Sequence, residues 1–321
     1  MTRSKLKVAV LMGGWSAERE VSLVSGKAVC NALEELGHDI IIIDVKRDAI
    51  DLASRLSGKT NEGKPDIIFN ALHGRGGEDG VIQGLLEMIG IPYTHSGIAA
   101  SAIAMDKPLM KAIVSHFGVH CAKSRVVSRD EIAQKGFPLP VPFVIKPTNE
   151  GSSVGVHIIK SGSNLGEIEG DNWIFGNTVM VEAFVPGHEL TVAVLGHGDE
   201  AKALAVTELR PKTQEFYDYK AKYSDGQTDH LIPAPLPKEV YDEAMRLAVV
   251  SYKAAGCQGA ARADFRWDDT KAGTSGLVFL EMNTQPGMTP LSLLPEQARY
   301  AGLSFNDLIA WMLDHPVCPA P

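Results

Sequence analysis

The sequence predicts an α/β protein whose first third is built on a mostly parallel sheet and whose remainder is antiparallel sheet with helices. Strand and helix signals alternate over the first hundred residues, strands follow one another closely from about residue 140, and helix and strand mix again near the end. KVAVLMGG reads as a strand and a turn, and REVSLVSGKAVCNALEELG carries apolar residues at helical spacing and closes on Gly. HDIIIIDV and PDIIFNAL are buried strands, GVIQGLLEMIG is a helix, and IPYTHSG closes the unit. Ligands of such a sheet lie at the carboxyl ends of its strands, which here carry GGWSAERE and HGRGGEDG. A helix, MDKPLMKAIVSHFG, leads to VPFVIK, VGVHIIK, TVMVEAFV, ELTVAVLG and KALAVTEL, several with the period-two alternation of half-buried strands. TQEFYDYKAKYSDGQTDH has no sustained period and reads as a long irregular loop of the kind that carries function. The helix KEVYDEAMRLAVVSYKAAG, the strands GAARADFRW and GLVFLEMN, and a helical C-terminal region complete the chain.

With 321 residues, 45% hydrophobic and 22% charged, the chain can bury the cores of two or three domains. A formal net charge of -8 argues against non-specific binding to nucleic acid or to an anionic membrane and points to a small-molecule partner. No stretch approaches the roughly 20 apolar residues of a membrane span, and the apolar run of the N-terminus is too short for a secretion signal. Cys30, Cys121, Cys257 and Cys318 are scattered, without metal-binding spacing, and read as reduced thiols of a cytoplasmic protein.

Chemistry concentrates in two places. Side chains of a strand alternate faces, so Glu281 and Asn283 at the end of LVFLEMN share one face, as do Arg262 and Asp264 in ARADFRW. If the two strands are neighbours, Asp264, Glu281 and Asn283 converge; an all-oxygen set favours magnesium, whereas each residue alone reads equally as a solvated polar position. Arg262 beside them suits a phosphoryl oxygen or a developing anion, and Gly287, lacking Cβ, lets a backbone N–H approach the same centre or simply makes a tight turn after Pro286. The second place is KPTNEGSSVGV, where Lys146 and a Gly/Ser loop can cradle phosphates. Walker order is absent and a strand follows, so the loop is a hairpin tip, with or without a ligand. Glu18 opens the first helix, where the helix dipole alone suffices to stabilise it, and His73 ends a strand either at a ligand or in a polar turn.

Taken together, GGWSAEREVSLVSG, LHGRGGEDGVIQGLLEMIGIPYTHSG, MDK, KPTNEGSSVGV, FYDYKAKY, ARADF and EMNTQPGMTPLSLLPE resemble, in order and nearly in wording, the D-alanine–D-alanine ligases of the ATP-grasp superfamily, from about residue 6 to residue 313. The resemblance implies a three-domain ATP-grasp fold: an N-terminal Rossmann-like (preATP-grasp) α/β domain over 1–103, a small central domain over 104–188 with the glycine-rich hairpin, and a C-terminal domain over 189–321 with antiparallel sheet, a mobile loop near 210–230 and the metal site. It implies that ATP phosphorylates the carboxylate of one D-alanine and that the amine of a second attacks the acyl phosphate, giving the dipeptide for peptidoglycan in a bacterial cytoplasm. Magnesium, with manganese as a possible substitute, would sit on Asp264, Glu281 and Asn283. A homodimer formed through the N-terminal domain is also implied.

By the same resemblance Glu18 binds the first ammonium, His73 lies near the first carboxylate, and Arg262 with the Gly287 amide stabilises the tetrahedral intermediate. Ser152 and Tyr223 bond with Glu18 to close the second-substrate pocket, and Ser292 and Leu293 meet the second D-alanine. Lys107, Lys146, Ser152, Ser153 and Lys222 face the ATP phosphates; Glu182, Phe184 and Val185 face adenine, and Glu189 takes the ribose hydroxyls. Ala183 and Phe184 stand where the family often has a second acid and a tryptophan, and Thr148 and Asn149 replace a commoner serine and arginine. Tyr223 in FYDYKAKY favours the dipeptide over the ester made by ligases that take D-lactate as second substrate; a D-lactate (or D-serine) ligase is the alternative. An NAD-dependent oxidoreductase is the distant alternative: no G-x-G-x-x-G follows the first strand, and GGWSAE puts an acid where a pyrophosphate would lie.

Overall fold

The computed structural model describes residues 4–149, 155–163, 173, 175–212 and 228–319. In the N-terminal part, β1 (Lys7–Gly13), α1 (Arg19–Glu35), β2 (Asp39–Val45), α2 (Ala49–Leu56), β3 (Ile67–Asn70) and α3 (Val81–Ile89) follow in turn. The sheet runs β2-β1-β3, all parallel, with Val8 opposite both Ile40 and Ile67. Parallel strands need covered faces. One face packs with α2 and α3 through Leu11, Ile43, Leu52, Leu56 and Ile82. The other, through Val8, Val10 and Phe69, packs with α1 and with residues of the C-terminal sheet and helices.

Next come α4 (Ile98–Met105), α5 (Lys107–His116), β4 (Ser124–Ser128), α6 (Arg129–Lys135), β5 (Phe143–Lys146), β6 (His157–Ile159) and β7 (Thr178–Ala183). The helix expected from Met105 is α5, and α4, which the sequence reading did not propose, ends just before it. Asp106 is extended, its carboxylate accepts from the Leu109 N–H at 2.9 Å, and Pro108 sits in the first turn, so α5 starts afresh there. The small-residue helix α4, IAASAIAM, apolar but for Ser101, offers no polar face for periodicity to reveal. Strands β4-β7-β5-β6 form an antiparallel sheet, and β5 pairs with β6 as Phe143 to Ile159, which is the hairpin expected around the glycine-rich loop.

The last part holds β8 (His188–His197), β9 (Lys202–Pro211), β10 (Thr228–Leu231), α7 (Lys238–Ala254), β11 (Gln258–Trp267), β12 (Leu277–Asn283), α8 (Leu293–Tyr300) and α9 (Phe305–Asp314). Its antiparallel sheet runs β10-β9-β8-β11-β12. One face is covered by α4, α5 and α7 through Met110, Val114, Leu247, Tyr252 and Phe265, so α4 and α5 belong to this core rather than to that of the central sheet. The end of the segment read as irregular, 228–230, belongs to the edge strand β10; its polar sequence hides it. Among the described residues no helix is long and apolar enough to cross a membrane.

Candidate active site

A cleft of about 770 Å³ opens at the carboxyl ends of β1, β2 and β3, lined by Trp15, Ser16, Arg75 and Gly76 and, from the central sheet's side, by Pro147 and Gly155. This is where a parallel open sheet binds ligands.

The C-terminal wall is set by strand register. β11 and β12 are antiparallel neighbours with Arg262 opposite Asn283 and Asp264 opposite Glu281, so the four side chains expected to converge do so, beside a β-bulge after Asp264. Within the chain each already has a partner. The Nε and Nη2 of Arg262 donate to Asp264 at 2.9 and 2.8 Å. Thr191 Oγ1 also donates to Asp264 at 2.7 Å, Lys107 pairs with Glu281 at 3.1 Å, and Asn283 Oδ1 accepts from the Gln285 N–H at 2.8 Å. Two carboxylates and an amide oxygen on adjacent strands, with neither sulfur nor imidazole among them, fit a magnesium ion.

Lys107 opens α5, and its backbone N–H donates to the Thr148 carbonyl at 3.0 Å, tying it to the end of the strand that carries Lys146. Lys146 Nζ lies 2.5 Å from Glu182 Oε2. The other oxygen of Glu182 is met by Lys111, one helical turn beyond Lys107. Glu182 is 2% exposed, so this carboxylate is buried between two lysines, one against each oxygen. Burial, with repulsion from Lys111 and Lys107, holds Lys146 well below the usual lysine value. Burial also lowers Lys111 to about 8. Phosphates brought here would relieve that repulsion.

The turn between β7 and β8, residues 184–187, is gripped by an arginine that sequence reasoning passed over. Arg266 donates to the carbonyls of Val185 at 3.1 Å and Gly187 at 2.8 Å, lies 3.4 Å from Glu189, and stands 6.0 Å from the Phe184 ring centroid. Gly187 needs its glycine: φ is +87°, and a Cβ would fall 2.2 Å from the Trp267 carbonyl oxygen.

On the N-terminal wall Glu18 is 4% exposed, and its carboxylate reaches over Gly74, where an added Cβ would come 2.7 Å from Oε2. Its N–H donates to Ser16 Oγ, which in turn donates to the His73 carbonyl at 2.7 Å. The His73 ring has Ser25 Oγ at 2.9 Å from Nε2 and Glu78 Oε1 at 3.4 Å from Nδ1. Gly287 and Ser292 meet in one turn: a Cβ on Gly287 would fall 2.7 Å from Ser292 Oγ, which accepts from the Thr289 N–H at 3.0 Å. Leu293 is buried against Leu209. Ser152, Ser153, Lys222 and Tyr223 lie outside the described residues.

The residues that sequence reasoning missed, Lys111, Arg266, Glu78 and Ser25, divide by signal. Lys111 falls four residues after Lys107 and was open to discovery as its helical neighbour. The other three act through contacts that local patterns do not encode.

Comparison with known proteins adds the lineage. A family model described as D-ala D-ala ligase C-terminus matches residues 113–314, and one described as D-ala D-ala ligase N-terminus matches residues 7–50 and 44–96. The chain is 51% identical over 309 residues to a D-alanine–D-alanine ligase of Gluconobacter oxydans, covering 96% of this chain and 98% of that protein. It is likewise 51% identical to one of Acidiphilium cryptum, covering 97% and 99%. Among solved structures it resembles the VanG D-Ala:D-Ser ligase of Enterococcus faecalis with a TM-score of 0.78 and 29% identity, over 97% of this chain and 99% of that one. It also resembles a D-alanine–D-alanine ligase of Bacillus anthracis complexed with ATP, with a TM-score of 0.76 and 28% identity over 96% of each chain.

Proposed function

The chain belongs to the D-alanine–D-alanine ligase family, and from that premise we propose that it joins two D-alanine molecules, with ATP converted to ADP and phosphate, to make the dipeptide used in cell-wall peptidoglycan. The observation that carries this reading is the register of β11 and β12, which sets Arg262, Asp264, Glu281 and Asn283 side by side and within reach of Lys107.

A carboxylate acylates poorly because its leaving group would be oxide; phosphorylation supplies a better one. The site must then hold a phosphate and a carboxylate together. Asp264, Glu281 and Asn283 would hold a magnesium ion, which when bound would neutralise phosphoryl oxygens as a Lewis acid. Lys107 and Lys146 neutralise the phosphates from the other wall. Arg262 and the Gly287 amide face the tetrahedral oxyanion. Glu18 holds the ammonium of the first D-alanine with His73 close by, while Ser292 and Leu293 take the second. Arg266 holds the 184–187 turn for adenine, and Glu189 takes the ribose. Ser152, Ser153, Lys222 and Tyr223, outside the described residues, are assigned to the phosphates and the second-substrate pocket by the family resemblance alone, and exclusion of water from the site would protect the acyl phosphate from hydrolysis.

The proposal extends to the three-part division of the chain at 103/104 and 188/189, with α5 of the middle part packed on the core of the last, to a bacterial cytoplasm, supported by the scattered free cysteines, and to a homodimer. Exposed Ile50, Val81 and Met88 on α2 and α3 support an N-terminal interface; sedimentation at a monomer mass would overturn it. The activity is tested by phosphate release from ATP and magnesium with D-alanine alone, with D-lactate or D-serine added, and with L-alanine, each product weighed by mass spectrometry. Dipeptide from D-alanine alone is expected. Mixed product in preference would transfer the reading to a D-lactate or D-serine ligase, and no turnover would sink it.

A further inference from the structure

Ser25 occupies the interior of α1, where serine has no propensity to recommend it and often bonds back to its own helix. Here it does neither. It is fully buried, and its Oγ lies 2.9 Å from His73 Nε2 and 3.2 Å from the backbone nitrogen of Met288, which is 263 residues away and follows Gly287 directly. One turn earlier Ser22 makes the matching pair of bonds within the N-terminal part, accepting from the Gly13 N–H at 2.9 Å and donating to the Ala71 carbonyl at 2.7 Å. The two hydroxyls, three residues apart on one helix face, thus pin the mouth of the parallel sheet and the turn that carries the oxyanion amide.

We propose that Ser25 is a positioning residue for the ligation: by bridging His73 and the Met288 amide it fixes the Gly287 turn against the wall that holds the first D-alanine. This rests on the ligase reading above. Proton accounting supports it. The Met288 N–H can only donate, so Ser25 Oγ accepts from it, and the hydroxyl proton goes to His73 Nε2 as the other partner in reach. His73 then carries its proton on Nδ1, facing Glu78 Oε1 at 3.4 Å. His73 thus bears on the reaction through Ser25 and the 287–288 backbone, in addition to the place near the first carboxylate that the family resemblance implies for it.

The test compares Ser25→Ala and Ser25→Thr with the unaltered full-length chain. Ser25→Ala is expected to lower kcat for dipeptide about 10- to 100-fold, the scale of a small misplacement of a reacting group, with KM for ATP unchanged; Ser25→Thr, which keeps the hydroxyl, recovers most of the loss. A lowered thermal midpoint with kcat within twofold of the unaltered chain would show a merely structural serine and overturn the proposal. Nitrogen-15 NMR of the unaltered chain gives a second readout that survives a variant failing to fold: the proton of His73 is expected on Nδ1, and a proton on Nε2 overturns the proposal. An unaltered chain that makes no dipeptide but shows the Nδ1 proton would count against the ligase reading and leave the bridge intact.

Discussion

On the side proposed for the nucleotide, the cleft is held by charge: Lys107, Lys111 and Lys146 face Glu281 and Glu182 at the junction of α5 with the two antiparallel sheets. On the side proposed for the amino acids it is held largely by neutral, directional bonds. Ser16, Ser22 and Ser25 bond to backbone and to His73, and Asn70 donates to Gln285 Oε1 at 2.7 Å across the junction of the first and last parts of the chain. The difference follows from what each side has to do. Phosphates bring charge of their own, so buried ammonium groups there are a standing demand that the ligand meets. The reacting carbonyl instead needs donors fixed within tenths of an ångström, and neutral hydrogen bonds fix geometry without adding a field that competes with the reaction.

The sharpest way to break the charged side is Glu182→Gln. Two buried ammonium groups would lose their shared counter-ion, and loss of one partner of a buried pair costs about 3–5 kcal/mol. The thermal midpoint should fall steeply, and ATP with magnesium should recover more of it in the variant than in the unaltered chain, because the phosphates replace the missing charge. An unchanged midpoint would mean that the clamp is not the counter-ion of these lysines.

Arg262→Lys tests the boundary between the two sides. Lysine keeps the charge and loses the planar fork that now grips Asp264 and would turn to the oxyanion. The expected loss in kcat is about 100- to 1,000-fold, or roughly 3–4 kcal/mol, the scale of one oxyanion donor. KM for ATP should move little. If KM rises and kcat holds, the arginine serves binding and not the intermediate.

How much of this was open to sequence reasoning depends on distance along the chain. Asp264, Glu281 and Asn283 were legible because a strand's two-residue period assigns faces and the short connection makes β11 and β12 neighbours. The strands of both antiparallel sheets were legible for the same reason, except β10, whose Thr-Asp-His carries no apolar alternation, and β4, an edge strand with Val126 exposed. Ser25 and Glu78 were not, since nothing local in α1 or in HGRGGEDG announces a bond to His73. The clamp on Glu182 escaped as well: the carboxylate was expected to accept from adenine, and its two lysines come from different elements.

The neutral side has its own weak point at His95. It is wholly buried with φ at +71°, its Nδ1 lies 3.3 Å from the Ala260 carbonyl, and burial lowers it from the usual value near 6.5 to about 4, with repulsion from His73 adding to the effect. A histidine depressed in the fold is neutral there, while the unfolded chain takes up a proton first. Its contribution is intact above about pH 6.5 and is lost as pH falls toward 4, by about 3 kcal/mol in all. His95→Asn tolerates a positive φ and does not titrate. Urea unfolding from pH 7 to 4 should therefore steepen with acid less in the variant, by about one proton. Parallel curves for the two chains would place the titration elsewhere.

The smallest effect separates the two sides by thiol chemistry. Burial pushes Cys30 up to about 11 and Cys257 up to about 12, so at pH 8 almost none of either is thiolate. Cys318 is exposed, and Cys121 is half-buried with its sulfur 3.9 Å from the Lys111 carbonyl, behind the charged cluster. A thiol reagent at pH 8 should modify Cys318 at once and Cys121 more slowly, while Cys30 and Cys257 wait for unfolding. ATP with magnesium, by ordering α5 around the lysines, should slow Cys121 a few-fold and leave Cys318 alone. Equal slowing at both would point to a general tightening of the chain, whereas protection confined to Cys121 would locate the response to nucleotide on the side of the cleft where charge, and not geometry, is left to be completed.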